Sequence, residues 1–433
     1  MTHTASGGPA DTVLVTYDIA SYLPPERAAE VLANEQSTGT FVRVPGETEE
    51  LRNGFAATVV AVEERPDEPA APPLPGAARP AGGPAHPHRA TVRLAFPLAN
   101  FGPSLPNLLA AVAGNLFELR ELAAVRLTGL ELPPAFAERY PGPRFGVAGT
   151  RRLAGRPEGV LIGTIVKPGV GLTLDALRLM VRELAEAGID FIKDDELNGD
   201  PPHAPLRDRV AVVTDELERV FERTGHRPMY AFNITDDIGR MLDNHDRVAE
   251  AGGRCVMVCV QTVGLAAVAH LREHATLPIH GHRAMSGALF RSPHIGLSAP
   301  VFSTLARLAG VDQLHAGGIR SKFYESDDDV LATVEAVRRP FPEGFPGGYP
   351  TLPVLSSGQW AGTAHPAYEL IGSTDLLVLA GGGIHAHPDG AGAGVAAMRA
   401  AWAGAVRGES LERCAADSRP LRRALETFGA RRG

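Results

Sequence analysis

Eight short apolar runs, each followed by text that suits an amphipathic helix, fill the chain from about Val160 onward. Buried parallel strands read as such continuous apolar runs, and the helices between them would cover the sheet. Eight strand–helix units over roughly 250 residues match a (β/α)₈ barrel, whereas a doubly wound open sheet is the alternative. We therefore predict an α/β fold with a TIM barrel over residues 146–433. The runs are 160–167, 188–193, 227–233, 254–260, 277–282, 311–315, 352–357 and 375–380.

The chain before this region mixes strands and helices differently, which predicts a separate α+β domain of ferredoxin-like type over residues 1–145. Its sheet is expected to be largely antiparallel. Residues 65–90 are dense in Pro, Ala and Gly, so they are predicted to form a loop or flexible insertion within this domain. The predicted strands are 12–20, 55–64, 90–98 and 125–133, and the predicted helices are 24–36 and 105–117.

The charge of the chain excludes some partners. The net charge is −8 without any basic run, so neither nucleic acid nor an anionic membrane is expected to bind. The three cysteines give no disulfide framework, and the polar N-terminus has no apolar signal core. A cytoplasmic location is therefore predicted, and a phosphorylated substrate would need local cations.

Polar residues follow the predicted strands at the end where (β/α)₈ barrels carry catalytic groups. Any one of them is equally well explained as an ordinary loop charge, but their joint placement favours an active-site rim. These residues are Lys167, Lys193–Glu196, His282, Arg283, His315, Lys322, Ser357 and Gly381–Gly383.

The segment FIKDDE (Phe191–Glu196) places four charges at the end of a strand that is predicted to be buried. Lys193 and Asp195 are two residues apart and share a face of an extended strand. Neighbouring carboxylates suit Mg²⁺, which prefers oxygen ligands. From spacing alone, an ion pair between Lys193 and one of the acids is the favoured interpretation.

Taken together, the motifs GTIVKPGVGL, GIDFIKDDE, HRAM, VDQLHAGG, NEQSTGTF and GNLF resemble the large subunit of ribulose-bisphosphate carboxylase/oxygenase (RuBisCO). They occur in collinear order from about Glu35 to Ala400, and the chain is most similar to form IV RuBisCO-like proteins. The resemblance implies that Lys193 is carbamylated by CO₂ and binds Mg²⁺ with Asp195 and Glu196. It implies catalytic roles for Lys167, Lys193, His282, Lys322 and Asn115, and substrate-binding roles for Glu35, Thr40, Arg283, His315, Ser357, Gly381 and Gly382.

The chain departs from the pattern of the carboxylases at four places. Gly169 and Ser286 replace a second lysine and a second histidine, Phe41 replaces a tryptophan, and Ala316–Gly318 replace Ser–Gly–Thr. Losing a cation and an imidazole removes groups that stabilise developing charge, which argues against CO₂ fixation. Asn115 and the retained Lys322 also argue against the enolases of methionine salvage.

The resemblance therefore implies a Mg²⁺-dependent enzyme that forms an enediolate on a phosphorylated keto-sugar or keto-sugar acid. The leading hypothesis is a decarboxylase or transcarboxylase/hydrolase of a 3-oxo acid sugar phosphate, as in apionate catabolism, with Lys322 holding the carboxylate. A ketose-phosphate isomerase or enolase is the second hypothesis, and true carboxylation is the third. A non-catalytic binding or regulatory relative is the alternative of another class. Glu35, Thr40 and Asn115 imply active sites shared in a homodimer or an assembly of dimers.

Overall fold

The computed structural model describes residues 11–39, 44–67 and 72–429, which divide into two compact units. The first unit comprises Met1–Pro141, Met285–Leu305 and Phe341–Pro346, and the second comprises Gly142–Ala284, Ala306–Pro340 and Gly347–Gly433. The strands of the described residues are β1 (Thr12–Ser21), β2 (Thr58–Glu64), β3 (His88–Pro97), β4 (Leu122–Glu131), β5 (Leu161–Ile165), β6 (Phe191–Lys193), β7 (Met229–Asn233), β8 (Cys255–Cys259), β9 (Ile279–His282), β10 (Ile295–Leu297), β11 (Gln313–Gly317), β12 (Leu352–Leu355) and β13 (Leu377–Leu379).

The α-helices of the described residues follow the same chain order. They are α1 (Pro25–Glu35), α2 (Glu49–Phe55), α3 (Leu105–Ala113), α4 (Ala135–Arg139), α5 (Gly146–Ala154), α6 (Leu174–Glu186), α7 (Leu206–Thr224), α8 (Ile238–Glu250), α9 (Val260–Val263), α10 (Leu265–His274), α11 (Ser286–Phe290), α12 (Ala299–Leu308), α13 (Asp327–Arg338), α14 (Ala364–Ile371), α15 (Gly382–His385), α16 (Ala391–Val406), α17 (Leu411–Asp417) and α18 (Arg419–Gly429).

A five-stranded sheet in the order β10-β4-β1-β3-β2 forms the first unit. β1 lies antiparallel to both β3 and β4, and its buried side chains alternate along the strand, as expected for a sheet with one covered face. The short strand β10 pairs parallel with β4 and makes the sheet mixed. Neither β10 nor α2 was predicted, because three residues of strand and seven of helix carry too little periodicity.

The Pro/Ala/Gly-rich segment contains no helix or strand in its described residues before β3 begins at His88. Two of its backbone N–H groups are nevertheless fixed: that of Leu74 donates to the Ala123 carbonyl at 2.8 Å, and that of Ala78 donates to the Arg120 carbonyl at 2.6 Å. The segment therefore lies along the start of β4 at these two points.

The second unit contains a closed barrel of eight parallel strands in the order β11-β12-β13-β5-β6-β7-β8-β9. Its interior is packed by a fully buried cluster that includes Leu161, Phe191, Met257 and Val354. Each strand falls within or close to one of the eight predicted runs, so the predicted barrel is confirmed. Most strands are shorter than predicted, which leaves Lys167 and Ser357 two residues beyond the ends of their strands.

None of the helices in the described ranges combines the length and hydropathy that crossing a membrane requires.

Candidate active site

A cavity of about 480 Å³ lies at the carboxyl ends of the barrel strands. Eight of the residues predicted for the site line it, and its other walls are glycines, apolar and aromatic side chains, and the polar residues Ser356 and Gln359. The predicted residues that line it are Lys167, Glu196, His282, His315, Lys322, Ser357, Gly381 and Gly382.

Lys193 is completely buried beside two acids at the end of β6. Its Nζ donates to the Asp194 carbonyl at 2.7 Å and lies 3.7 Å from Glu196 Oε2. Burial lowers the pKa of Lys193, and the negative charges of Glu196 and Asp195 oppose this only in part. A lowered pKa favours the neutral amine, which is the form that reacts with CO₂.

Asp195 is also buried, and Lys167 extends from beyond β5 to pair with it, with 2.5 Å between Nζ and Oδ2. Lys193, Asp195 and Glu196 thus come together as the sequence predicted. If Lys193 carried a carbamate, all three would offer anionic oxygens at one strand end, which is the donor set that Mg²⁺ prefers. These residues therefore fit a magnesium ion.

Gly169 lies against the carboxylate of Asp195. A Cβ at position 169 would be 2.6 Å from Asp195 Cγ, far inside van der Waals contact. Only glycine leaves Asp195 in its present position, so the departure from the second lysine of the carboxylases also shapes the group of residues that fits a magnesium ion.

We expect Gly169→Ala to weaken Mg²⁺ binding by about tenfold, because displaced metal-site groups typically cost 10–100-fold in affinity. Calorimetric titration with Mg²⁺ in bicarbonate buffer measures this directly. Gly239→Ala is the matched control, since no heavy atom lies within 4 Å of the added Cβ on α8. An unchanged Mg²⁺ affinity of the Gly169 variant would contradict the packing argument.

Asp194 has a different environment from its two neighbours. Its Oδ1 accepts the hydroxyl of Tyr230 at 2.6 Å, while its Oδ2 accepts the Asn233 N–H at 2.9 Å and Arg209 Nη2 at 3.2 Å. Asp194 and Arg209 are fully buried. With both oxygens engaged by neighbouring donors, Asp194 holds the strand end in shape.

His282 is oriented by donors to its Nδ1. The Ala284 N–H donates to this nitrogen at 3.2 Å, and Cys259 Sγ lies 3.9 Å from it. Burial, helped by the positive charge of Lys193, lowers the pKa of His282 well below its ordinary value. The neutral ring therefore carries its proton on Nε2, which lies 3.5 Å from Glu196 Oε2 at the cavity.

A buried hydrogen-bonded chain supports His315 from below. His280 Nδ1 lies 3.0 Å from Gln313 Oε1, and its Nε2 lies 2.9 Å from His315 Nε2. His315 Nδ1 in turn lies 3.1 Å from Ser356 Oγ. Because Gln313 Oε1 is an acceptor, His280 carries its proton on Nδ1, so His315 donates from Nε2 and accepts from Ser356. Burial lowers the pKa of both histidines well below 6.5.

This chain should make the protein lose stability in acid. In the unfolded chain both imidazoles protonate near pH 6.5, whereas the folded protein holds them neutral to much lower pH. Below about pH 6.5 the unfolded state therefore binds more protons, and each histidine lowers the free energy of unfolding by about 1.4 kcal/mol per pH unit.

Urea denaturation at pH 7.5 and at pH 5.5 checks this expectation. The free energy of unfolding of the His280→Gln variant should change less with pH than that of the parent, because the variant lacks the contribution of one histidine. The variant should be less stable than the parent at both pH values. Equal slopes for the variant and the parent would exclude His280 as a contributor.

Arg283 is fixed by a residue that the sequence did not single out. Its guanidinium forms a bidentate pair with Glu325. Nη1 donates to Oε1 at 2.8 Å, and Nη2 donates to Oε2 at a shorter distance. The two side chains are 12% and 3% exposed, and Arg283 is not among the residues that line the cavity. Nothing in the sequence spacing links position 325 to position 283.

The opposite side of the cavity is formed by glycines and aromatic rings. A Cβ on Gly382 would meet no atom within 4 Å, so its backbone faces open space. Phe323, Trp360 and Phe428 also line the cavity. The rings of Trp360 and Phe428 pack edge to face, with 5.8 Å between their centroids. Their contribution was missed, because aromatic residues of separate loops and of the C-terminal helix converge only in three dimensions.

The rarity of lysine in the sequence points to part of the site. Lys167, Lys193 and Lys322 are the only lysines of the 433-residue sequence, against 39 arginines (42 basic residues less three lysines). All three lie at the barrel mouth, since two line the cavity and Lys193 contacts Glu196. Arginine cannot be deprotonated or carbamylated in proteins, so lysine is needed where an amine must react.

A second group of metal-type ligands lies outside the barrel mouth, formed by His245, Asp246 and His274. Both histidines approach Asp246 Oδ1, at 2.9 and 2.7 Å. His245 Nε2, however, accepts the Thr276 N–H at 3.1 Å, which places the imidazole proton on the Nδ1 that faces Asp246. Without a free lone pair on that nitrogen, the group is a hydrogen-bonded cluster.

Three predicted residues are not part of the described barrel unit. Two of them, Glu35 and Asn115, belong to the first unit. Glu35 ends α1 and Asn115 begins a 3₁₀ turn. The amide of Gln36, oriented to satisfy both bonds, donates to the Ala111 carbonyl at 2.6 Å and accepts the Leu116 N–H at 3.3 Å, so these two segments lie together. Thr40 lies outside the described residues. Their roles in a neighbouring subunit's site stay predictions.

Comparison with protein families gives two matches that together cover most of the chain. The model described as "Ribulose bisphosphate carboxylase large chain, catalytic domain" matches residues 146–428, and the corresponding N-terminal domain model matches residues 8–136.

Two of the similar proteins have names that refer to the same substrate. The 3-oxo-isoapionate-4-phosphate transcarboxylase/hydrolase of Xanthobacter autotrophicus is 46% identical over 420 residues, which cover 96% of this chain and 99% of the relative. The 3-oxo-isoapionate-4-phosphate decarboxylase of Rhizobium etli is 40% identical over 427 residues, 97% of this chain and 100% of the relative.

A solved rubisco-like protein from Burkholderia fungorum matches with a TM-score of 0.88 and 42% identity, covering 96% of this chain and 100% of that one. The octameric ribulose-1,5-bisphosphate carboxylase/oxygenase of Pyrococcus horikoshii matches with a TM-score of 0.86 and 30% identity, covering 99% of this chain and 96% of that one.

Proposed function

The chain belongs to the ribulose bisphosphate carboxylase large-chain family, and from this premise we propose that it removes a carboxyl group from 3-oxo-isoapionate 4-phosphate or a closely related branched 3-oxo acid phosphate. The two relatives named above act on this compound by name, one as a transcarboxylase/hydrolase and one as a decarboxylase. The observation that carries the proposal is the grouping of Lys167, Lys193 and Lys322 with Asp195 and Glu196 at one barrel mouth.

Lys193 as its carbamate, Asp195 and Glu196 would hold Mg²⁺. When bound, the ion supplies a positive charge that stabilises oxyanions developing on a ketone and its neighbouring hydroxyl. The buried position of Asp195 and the Gly169 contact fix the direction of its carboxylate before any ligand arrives.

The remaining groups of the cavity serve the substrate. Lys322 forms no ion pair within the described ranges, and its Nζ lies 5.2 Å from the ring centroid of Phe323, so its charge is available to hold the departing carboxylate. Loss of that carboxylate as CO₂ leaves an enediolate whose carbon must take up a proton. The ammonium of Lys167 and the Nε2–H of His282 both face the cavity and can deliver it.

At two positions where the chain departs from the carboxylase pattern, packing leaves no room for the carboxylase side chain. This argues against carboxylation. Gly169 has no room for a side chain beside Asp195. A Cβ on Gly318, where the carboxylases have threonine, would lie 2.0 Å from the Ser356 carbonyl oxygen. Neither carboxylase side chain fits without a shift of Asp195 or of the Ser356 backbone.

Assay with 3-oxo-isoapionate 4-phosphate, followed by ³¹P and ¹³C NMR, tests the proposal. Decarboxylation yields CO₂ and a ketose phosphate, whereas hydrolysis next to the ketone consumes water and yields two acids. Proton exchange in D₂O on ketose phosphates, without turnover of the oxo acid, would instead support the isomerase. CO₂-dependent labelling of ribulose bisphosphate would support the carboxylase.

We further propose that the active protein is a homodimer or an assembly of dimers. Glu35 and Asn115 belong to a unit other than the one that forms the cavity, and the motifs that contain these residues and Thr40 resemble those that complete a neighbour's site. Light scattering combined with activity measurements tests this, since an active monomer would contradict it.

A further inference from the structure

We propose that Glu325 limits the substrate to a single phosphate by neutralising Arg283, so that the cavity has a cationic and glycine-lined end for one phosphate and an uncharged opposite end. This inference rests on the proposed function, since it specifies the substrate class of the same cavity. Three sets of observations support it: the Arg283–Glu325 pair, the engaged His315 and the serine at position 286 beside it, and the glycine end.

The Arg283–Glu325 pair has the geometry of a strong, persistent ion pair. Both carboxylate oxygens meet both terminal guanidinium nitrogens, which is the arrangement that fixes arginine most firmly. Water has almost no access, because Glu325 is 3% exposed. Glu325 also lies against the end of β11, since a Cβ added on Gly317 would be 3.4 Å from its Oε2.

The residues beside this pair offer no further cationic group of fixed position. His315 has both ring nitrogens engaged, Nε2 by His280 at 2.9 Å and Nδ1 by Ser356 Oγ at 3.1 Å. Position 286, where the carboxylases have a further histidine, is a serine. Position 286 therefore adds no imidazole at the Arg283 end of the mouth, and the bonds of His315 leave it no free ring nitrogen for an anion.

The glycine end is chemically different. Gly381 follows β13, and the strands β11 and β12 separate it from Arg283 at the end of β9. The added Cβ of Gly382 meets no atom within 4 Å, so backbone N–H groups can approach an anion there. Lys322 and Ser357 line the same cavity. One phosphate suits this end.

A second phosphate at the Arg283 end would meet the carboxylate of Glu325 in a site with little water. Its two negative charges would have to displace that carboxylate from Arg283 to find a cation. A linear sugar bisphosphate is therefore disfavoured, whereas a hydroxyl or hydroxymethyl group at that end carries no charge that competes with Glu325 for Arg283.

Binding of two probes to the Mg²⁺- and bicarbonate-treated protein tests the inference. Isothermal titration with ribulose 5-phosphate and with xylulose 1,5-bisphosphate gives the two dissociation constants. For the parent protein, we expect the bisphosphate to bind no more tightly than the monophosphate. For Glu325→Gln, we expect the bisphosphate to bind at least about tenfold more tightly, with the monophosphate changed by less than about twofold.

Two further variants separate charge from packing. Glu325→Asp keeps the negative charge and should keep the parent's preference. Glu216→Gln is the matched control, because Glu216 forms the same bidentate pair with Arg182, at 2.6 and 2.9 Å, on helices outside the cavity. This control should leave both dissociation constants unchanged.

Parent protein that binds the bisphosphate tenfold more tightly than the monophosphate would overturn the inference, even if Glu325→Gln does not fold. A folded Glu325→Gln protein that retains the parent's ratio would also overturn it. Failure to turn over 3-oxo-isoapionate 4-phosphate, with the probe ratios as expected, would reject the proposed reaction and leave the single-phosphate site supported.

Discussion

Lys193→Met should lower kcat for loss of the carboxyl group by about 10³-fold, which corresponds to about 4 kcal/mol of barrier. Lys193 is completely buried, its pKa is lowered by burial, and its Nζ lies 3.7 Å from Glu196 Oε2. Methionine fills the same space without an amine that CO₂ can modify. The substitution thus removes one of three proposed metal ligands while preserving the packing.

Spectroscopy can show the modification independently of turnover. With ¹³C-bicarbonate and Mg²⁺, the parent protein should give a ¹³C carbamate signal, and Lys193→Met should not. The assignment is simple because the sequence has only three lysines, so Lys322→Met serves as the control that keeps the signal. A parent spectrum without carbamate, or full activity of Lys193→Met, would remove the basis for assigning a metal-ligand role to this residue.

The barrel was predictable because its strands are buried on both faces and therefore read as apolar runs, with FIK and LVL inside two of them. Residues that follow a strand end, such as Lys167 and His282, were predictable for the same reason, since parallel strands place their carboxyl ends together. The resemblance to a known family then distinguished a carbamate site from the ion pair that spacing alone favoured.

Other features depend on contacts that no sequence periodicity encodes. Glu325 lies 42 positions from Arg283, and its role is set by the path of the loop after Lys322. The place of His280 is set by its bond to His315, which lies on another strand. Phe428 reaches the cavity from the C-terminal helix. Such residues are identified only when the fold brings them together.

Lys322→Met should separate the two chemical steps that the proposed mechanism combines. Lys322 lines the cavity and has no carboxylate partner among the described residues, so it is proposed to hold the departing carboxylate. Removing one such charge-stabilising group typically costs 10²–10³-fold, and we expect loss of the carboxyl group to slow by about 10²-fold. Exchange of the C–H proton beside the ketone of a ketose phosphate product needs Lys193, Lys167 and His282, so it should persist within about threefold.

The comparison of these two rates in D₂O decides what Lys322 does, because a general loss of folding or of metal would slow both steps alike. Lys322→Arg retains the positive charge on a side chain of similar length, so it should recover part of the lost carboxyl-removal rate. Equal losses in both rates for Lys322→Met would show that Lys322 acts in forming the enediolate itself. That outcome would shift the balance from carboxyl removal toward isomerisation, because only the former needs a cation dedicated to the departing group.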